Sequence, residues 1–166
     1  MKIFSFIFSL FFFLSFATTR IISYINFDRN CEGYLKRAAD SNTIDLAANN
    51  LKIALKYMED NNLTSGFTSI FYRTPDEDIG FWYNNVKASF QELNNVSPES
   101  TQLERSNILM KLRETLLDQG QSTSVTAPNG ISIYPTNTVF FLWGLLSLFV
   151  FCGICLGICL WILITY

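Results

Sequence analysis

The chain has 166 residues, with twelve Lys and Arg against fourteen Asp and Glu and no histidine. That length suits one domain, and the missing histidine removes the commonest general base and metal ligand. A formal net charge of −2 without a basic run argues against nucleic-acid binding, which needs clustered cations to neutralise phosphates. The average conceals a partition. Phe, Leu and Ile crowd both ends, while every acidic residue lies between Asp28 and Asp118 beside ten of the basic ones. The stretch 27–119 is therefore the part expected to fold in water, slightly acidic and large enough for a modest core.

At the N-terminus, Ile3 to Ala17 carries no charge and follows Lys2. A short positive start, an apolar run and small residues at Ser15 and Ala17 read as a secretory signal peptide over 1–17. The alternative is an uncleaved anchor helix running past Arg20 into Ile21–Ile25, with Arg20 snorkelling to a headgroup. Cleavage would export the domain to the extracytoplasmic or lumenal side. An intact anchor, with Lys2 before it and Arg20, Arg29, Lys36 and Arg37 after it, points the other way.

The middle is expected to be all-α, a small antiparallel bundle of about four amphipathic helices, because apolar residues recur at spacings of three and four. Phe27, Cys31, Leu35 and Ala38 share a face over 27–40. Ala47, Leu51, Ala54, Leu55 and Met58 do so over 43–60, introduced by Asn42 and Asp45. Cys31 has no histidine partner in the sequence and lies on that stripe, so it reads as a small core residue. The run Ala47-x3-Leu51-x2-Ala54-Leu55, ending at Tyr57, resembles the second helix of a tetratricopeptide repeat. The preceding helix lacks that repeat's Trp, Leu-Gly and Tyr positions and no second copy follows, so the resemblance implies only an antiparallel helical hairpin. Asn62-Leu63-Thr64 fits a glycosylation sequon at Asn62.

Phe67–Tyr72 is apolar and is read as a short helical turn. Thr74-Pro75-Asp76-Glu77 carries a capping box with proline at the first helical position and predicts a helix over 75–94. Its core stripe is Ile79, Tyr83, Val86, Phe90 and Leu93. Phe81 and Trp82 step away from that stripe by about 100° per residue. With Phe67, Phe71 and Tyr72 they either pack together or form an exposed patch that docks a protein partner. Asp76, Glu77 and Asp78 diverge on a first helical turn, where they complement the helix dipole better than they would hold a cation. Ser97-Pro98-Glu99 predicts the last helix of the domain, over 98–119, with Ile108, Leu109, Leu112 and Leu116 inward.

Residues 120–138 are rich in Ser, Thr, Asn, Gly and Pro and uncharged, and read as a flexible tether. From Val139 to Ile164 no charge or proline occurs. A helix of that length is about 39 Å long, enough to span a bilayer. Trp143, Trp161 and Tyr166 sit where interfacial aromatic belts fall. Gly153 and Gly157 form a GxxxG spacing suited to a homodimer through this helix.

No catalytic, metal or cofactor-binding constellation emerges. The leading functional expectation is a non-enzymatic, single-pass, membrane-anchored helical module presenting a protein-interaction surface at the bilayer. The alternative is a small pore- or lesion-forming protein that uses both apolar segments, and the third is a membrane-surface enzyme.

Overall fold

The computed structural model describes residues 2–118 and 124–165. These residues form a mostly helical, all-α chain. Residues 119–123, the end of the last expected helix and the start of the expected tether, lie outside the described set, as does Tyr166.

Helix α1 (Lys2–Phe27) runs without a break through Thr18–Arg20 and passes, by one π-helical turn at Asp28–Glu32, into α2 (Gly33–Ala39). The first predicted helix of the domain is thus the far end of the N-terminal apolar helix. The wider π turn lies where the chain leaves its apolar stretch and enters the domain core, and it changes the helical phase there. Within and beyond it Cys31, Leu35 and Ala38 are buried, as their spacing predicts, and Phe27 closes the core edge-on against Tyr57, 6.3 Å between centroids.

Helix α3 (Ile44–Asp60) starts at Thr43, whose hydroxyl accepts from the Leu46 N–H at 3.3 Å. It buries the full stripe Ala47, Leu51, Ala54, Leu55 and Met58 against α2 and the next helix. That next helix, α4 (Ile79–Asn94), begins later than its sequence signal. The Thr74–Glu77 capping box is present, but it closes a single 3-10 turn at Pro75–Glu77. The α-helix proper is capped by Asp78, whose carboxylate accepts from the Phe81 N–H at 3.0 Å. Tyr83 ties α4 to α3 by donating its hydroxyl to Glu59 at 2.7 Å. Burial foremost, and then this carboxylate, hold the Tyr83 phenol above its ordinary pKa.

Helix α5 (Gln102–Leu116) also starts later than expected. Ser97 has no acid at the third helical position, and its hydroxyl instead accepts from Glu99 in a turn. Thr101 and Glu104 satisfy each other's backbone N–H groups reciprocally, and the helix begins there. Leu112 and Leu116 are buried while Ile108 and Leu109 pack at the margin.

The stretch after α5 corrects the tether expectation for residues 124–136. A two-residue strand β1 (Leu117–Asp118) pairs antiparallel with β2 (Ser124–Val125). Thr126 donates its backbone N–H to Leu116 at 3.0 Å and its hydroxyl to Thr115 at 2.9 Å. Val125, Ile131 and Ile133 are buried, and Tyr134 donates its hydroxyl to the Ser65 carbonyl at 2.9 Å. The segment is stitched to the domain by apolar burial and hydrogen bonds, which its polar composition conceals. It leads directly into α6 (Asn137–Thr165).

Both α1 and α6 belong to helices long and apolar enough to cross a membrane, where the sequence leaves the N-terminal one open between a signal peptide and an anchor. They pack side by side in opposite directions: Phe16 meets Phe140, Phe12 meets Trp143 and Phe6 meets Phe151, with centroids 6.0–6.3 Å apart. Gly144 allows the closest approach, since a Cβ there would stand 2.9 Å from Cζ of Phe16. Ser147 opposite is fully buried and returns its hydroxyl to the Gly144 carbonyl at 2.9 Å. Small residues at a helix crossing that bring large rings together are the usual basis of packing between apolar helices.

Candidate functional site at the domain junction

Where the paired helices meet the domain, a cavity of about 520 Å³ opens. Four pieces of chain build it. Helix α1 contributes Phe16 and, one turn further, Arg20. Helix α6 contributes its first turns from Asn137 to Leu148. The third piece is the loop 68–71, and the fourth is the docked segment at Gly130 and Ile133.

That loop is not helical, contrary to the sequence expectation. Phe67 bridges Asp78, Thr68 donates its N–H to Glu77 at 3.1 Å, and Ile79 donates to Gly66 at 2.9 Å. Gly66 turns with φ of 103°, a conformation in which side chains are strained, and the Tyr134 ring fills the space a Cβ would need. The two extended stretches form the neck of a narrow loop. At its tip Phe71 and Tyr72 are 72% and 79% exposed, and Phe71 lies edge-on to Phe141 of α6 at 5.3 Å.

Asn137 locks the junction. Its amide donates to the Thr68 carbonyl at 2.8 Å and to the Gly130 carbonyl at 3.2 Å, joining α6 to the loop and to the docked segment. Its own Oδ1 is left without a hydrogen-bond partner among the described residues, and so is the Thr68 hydroxyl. Thr68 is 4% exposed and Asn137 9%. Arg20 is exposed and, among the described residues, is the sole charged one on the wall of this cavity. No described carboxylate forms an ion pair with it. The remaining wall is dominated by aromatic and aliphatic side chains.

The five aromatic candidates do not form one patch. Trp82 is 5% exposed and belongs to the core, which corrects its reading as a residue pointing away from the stripe. It lies three residues after Ile79 and four before Val86, so the buried face of α4 is simply wider than the stripe first drawn. Phe81 is 65% exposed and lines a different cleft, with Asp76, Asp78 and Asp118 beside it. Phe67 is half-buried under the Arg73 guanidinium, 5.5 Å from its ring, so only Phe71 and Tyr72 remain together at the loop tip.

The other candidates are placed as follows. Asn62 is exposed in the turn after α3, in the left-handed region with φ of 58°. Gly153 and Gly157 have no described atom within 4 Å of where a Cβ would stand. Of the acidic trio, Glu77 bonds Thr74 and Asp78 caps α4, so two of the three carboxylates serve backbone and hydroxyl groups. Cys31 is buried, and burial, helped by Glu32, pushes its thiol pKa far up. Sequence reasoning missed Thr68 and Asn137 altogether, because neither belongs to a motif. Arg20 carried the one available signal, as the lone charge inside the apolar helix that begins at Lys2.

Comparison with known proteins finds no matching family model, no matching curated protein and no matching solved structure.

Proposed function

We propose that this protein is a non-enzymatic, membrane-anchored helical module, held in a bilayer by α1 and α6 together and offering its domain to a protein partner close to the headgroups. The observation that carries this reading is the pairing of the two apolar helices. Their inner aromatic rings are used on each other, while Phe8, Phe11, Leu142 and Phe149 remain exposed around the outside. A continuous apolar surface of that kind calls for lipid or a partner, not water. Between the helices lie rings and the small hydroxyls of Ser9 and Ser147, which favours an anchor over a pore, whose lining needs polar or charged side chains.

A paired anchor requires residues 1–17 to stay in the mature chain, since cleavage after Ala17 would remove Phe6, Phe12 and Phe16. With α1 retained, both chain ends emerge on the side opposite the domain. Arg20, Arg29, Lys36 and Arg37 on the domain side, against Lys2 on the other, then favour a cytoplasm-facing domain. For the partner, the cleft with exposed Phe81 beside Asp76, Asp78 and Asp118 suits a basic segment carrying an apolar side chain.

The test is fractionation with mass analysis of the N-terminus. The full chain is expected to sediment with membranes, to resist alkaline carbonate, to dissolve in detergent and to retain residues ahead of Thr18. A mature chain starting at Thr18 overturns the paired anchor, and an unaggregated chain in the detergent-free supernatant overturns the membrane reading. Phe81→Ser, with unchanged circular dichroism, is expected to lose a partner cross-linked in membranes.

A further inference from the structure

We infer that the junction cavity is a binding site for one anionic phospholipid whose headgroup carries hydroxyls, a glycerol or similar polyol esterified to the phosphate. The inference rests on the bilayer reading above and names the lipid chemistry that this reading leaves open. Four observations converge on it. Arg20 supplies a cation with no described carboxylate to pair with, on the cavity wall. The N-terminus of α6, whose first residue is Asn137, adds unpaired backbone N–H groups and the positive end of a long helix dipole. Thr68 and Asn137 are more than nine-tenths buried and both line this cavity, and the Thr68 hydroxyl and Asn137 Oδ1 have no described partner, where buried polar atoms normally find one. Finally, the wall continues along Phe141, Leu145 and Leu148, half-exposed on the outer side of α6, as a course for an acyl chain.

The division of labour follows from the chemistry of each group. A phosphodiester oxygen accepts from the Arg20 guanidinium, a planar donor suited to phosphate, and from the Thr68 hydroxyl. Asn137 Oδ1 can only accept, so it calls for a donor, which a headgroup hydroxyl provides and a quaternary ammonium does not. A free phosphate would leave the apolar wall uncovered. A zwitterionic choline lipid would leave Asn137 unpaired and set a second cation near Arg20.

The experiment uses the full chain in neutral-detergent micelles, with bound lipid counted by native mass spectrometry. Phosphatidylglycerol and phosphatidylcholine with the same acyl chains are titrated separately, and glycerol phosphate tests the headgroup alone. One phosphatidylglycerol is expected to be retained about tenfold or more over phosphatidylcholine, the scale of one charged hydrogen bond. Arg20→Gln is expected to erase that preference. Thr68→Val, nearly isosteric, is expected to weaken retention severalfold while keeping the preference. Equal retention of the two lipids, an undiminished preference in Arg20→Gln, wild-type retention in Thr68→Val, or glycerol phosphate binding as tightly as the lipid each overturns the site. A chain that resists carbonate yet ignores lipid charge loses this inference alone; a chain soluble without detergent loses the bilayer reading as well.

Discussion

Cys31 illustrates how much a side chain's surroundings decide. It is fully buried on the inner face of the helix that joins α1 to α2, and burial disfavours its thiolate more than anything else around it. The thiol therefore stays protonated, and a protonated thiol is a poor nucleophile. In the folded chain at pH 8, Cys31 is expected to resist alkylation, and it should react within minutes once denaturant is added, as read by peptide mapping. The same shift has a consequence for stability. A thiol pKa raised by folding stabilises fully at pH values below the unfolded value, about 8.5. Above it the unfolded chain ionises while the folded one does not, so stability falls as pH rises. Denaturant midpoints should decline above that pH in the wild type and decline less in Cys31→Ala. Trp82 and Phe81 make a parallel point, since adjacent residues of one helix end in core and solvent respectively.

Among elements, α6 uses its small residues in two different ways. Gly144 lies under the Phe16 ring, whereas Gly153 and Gly157 have nothing within 4 Å of where a Cβ would be. Gly144→Ile is expected to push α1 and α6 apart and cost about 1–3 kcal/mol, the range for overpacking a filled contact, read as a lower melting temperature in detergent. The double change Gly153→Ile, Gly157→Ile should leave that temperature unchanged. If these two glycines also mediate self-association, the double variant should shift the particle to smaller size on gel filtration. A drop in melting temperature in the double variant would mean that these glycines pack within the chain after all. The starts of α4 and α5 teach a related lesson: each helix begins at the residue that best satisfies its free N–H groups, Asp78 and Thr101, not at the first Ser-Pro or Thr-Pro signal.

For the whole molecule, the decisive feature is that domain and apolar helices share elements. Helix α1 and the π turn that continues it enter the core through Phe27 and Cys31, and Asn137 of α6 clasps the loop at Thr68 and the docked segment at Gly130. The domain is thereby held against the junction at a set orientation, where a free tether would let it roam. Asn137→Ala leaves the Thr68 carbonyl without its described donor and the Gly130 carbonyl with the Ile133 N–H alone, and is expected to cost about 1–3 kcal/mol. Limited proteolysis should then cut within residues 124–136 several times faster than in the wild type, with helix content unchanged. An unaltered cleavage rate would show that apolar burial of Val125, Ile131 and Ile133 suffices to hold the segment.

The helices could be read along the chain, because their stripes depend on a local period and their caps on neighbouring residues. The inward faces of 27–40 and 43–60 and the long charge-free helix after residue 138 were legible in this way. Folding in three dimensions settles that the N-terminal helix continues into the domain and lies along α6, that residues 124–136 dock, and that Arg20, Thr68 and Asn137 line one cavity. Those contacts join positions far apart in the chain, and their cause is three-dimensional: a ring finding a glycine, an amide finding two carbonyls, an apolar side chain finding a gap. No local period or motif encodes such matches, so composition alone made a docked segment look like a loose one.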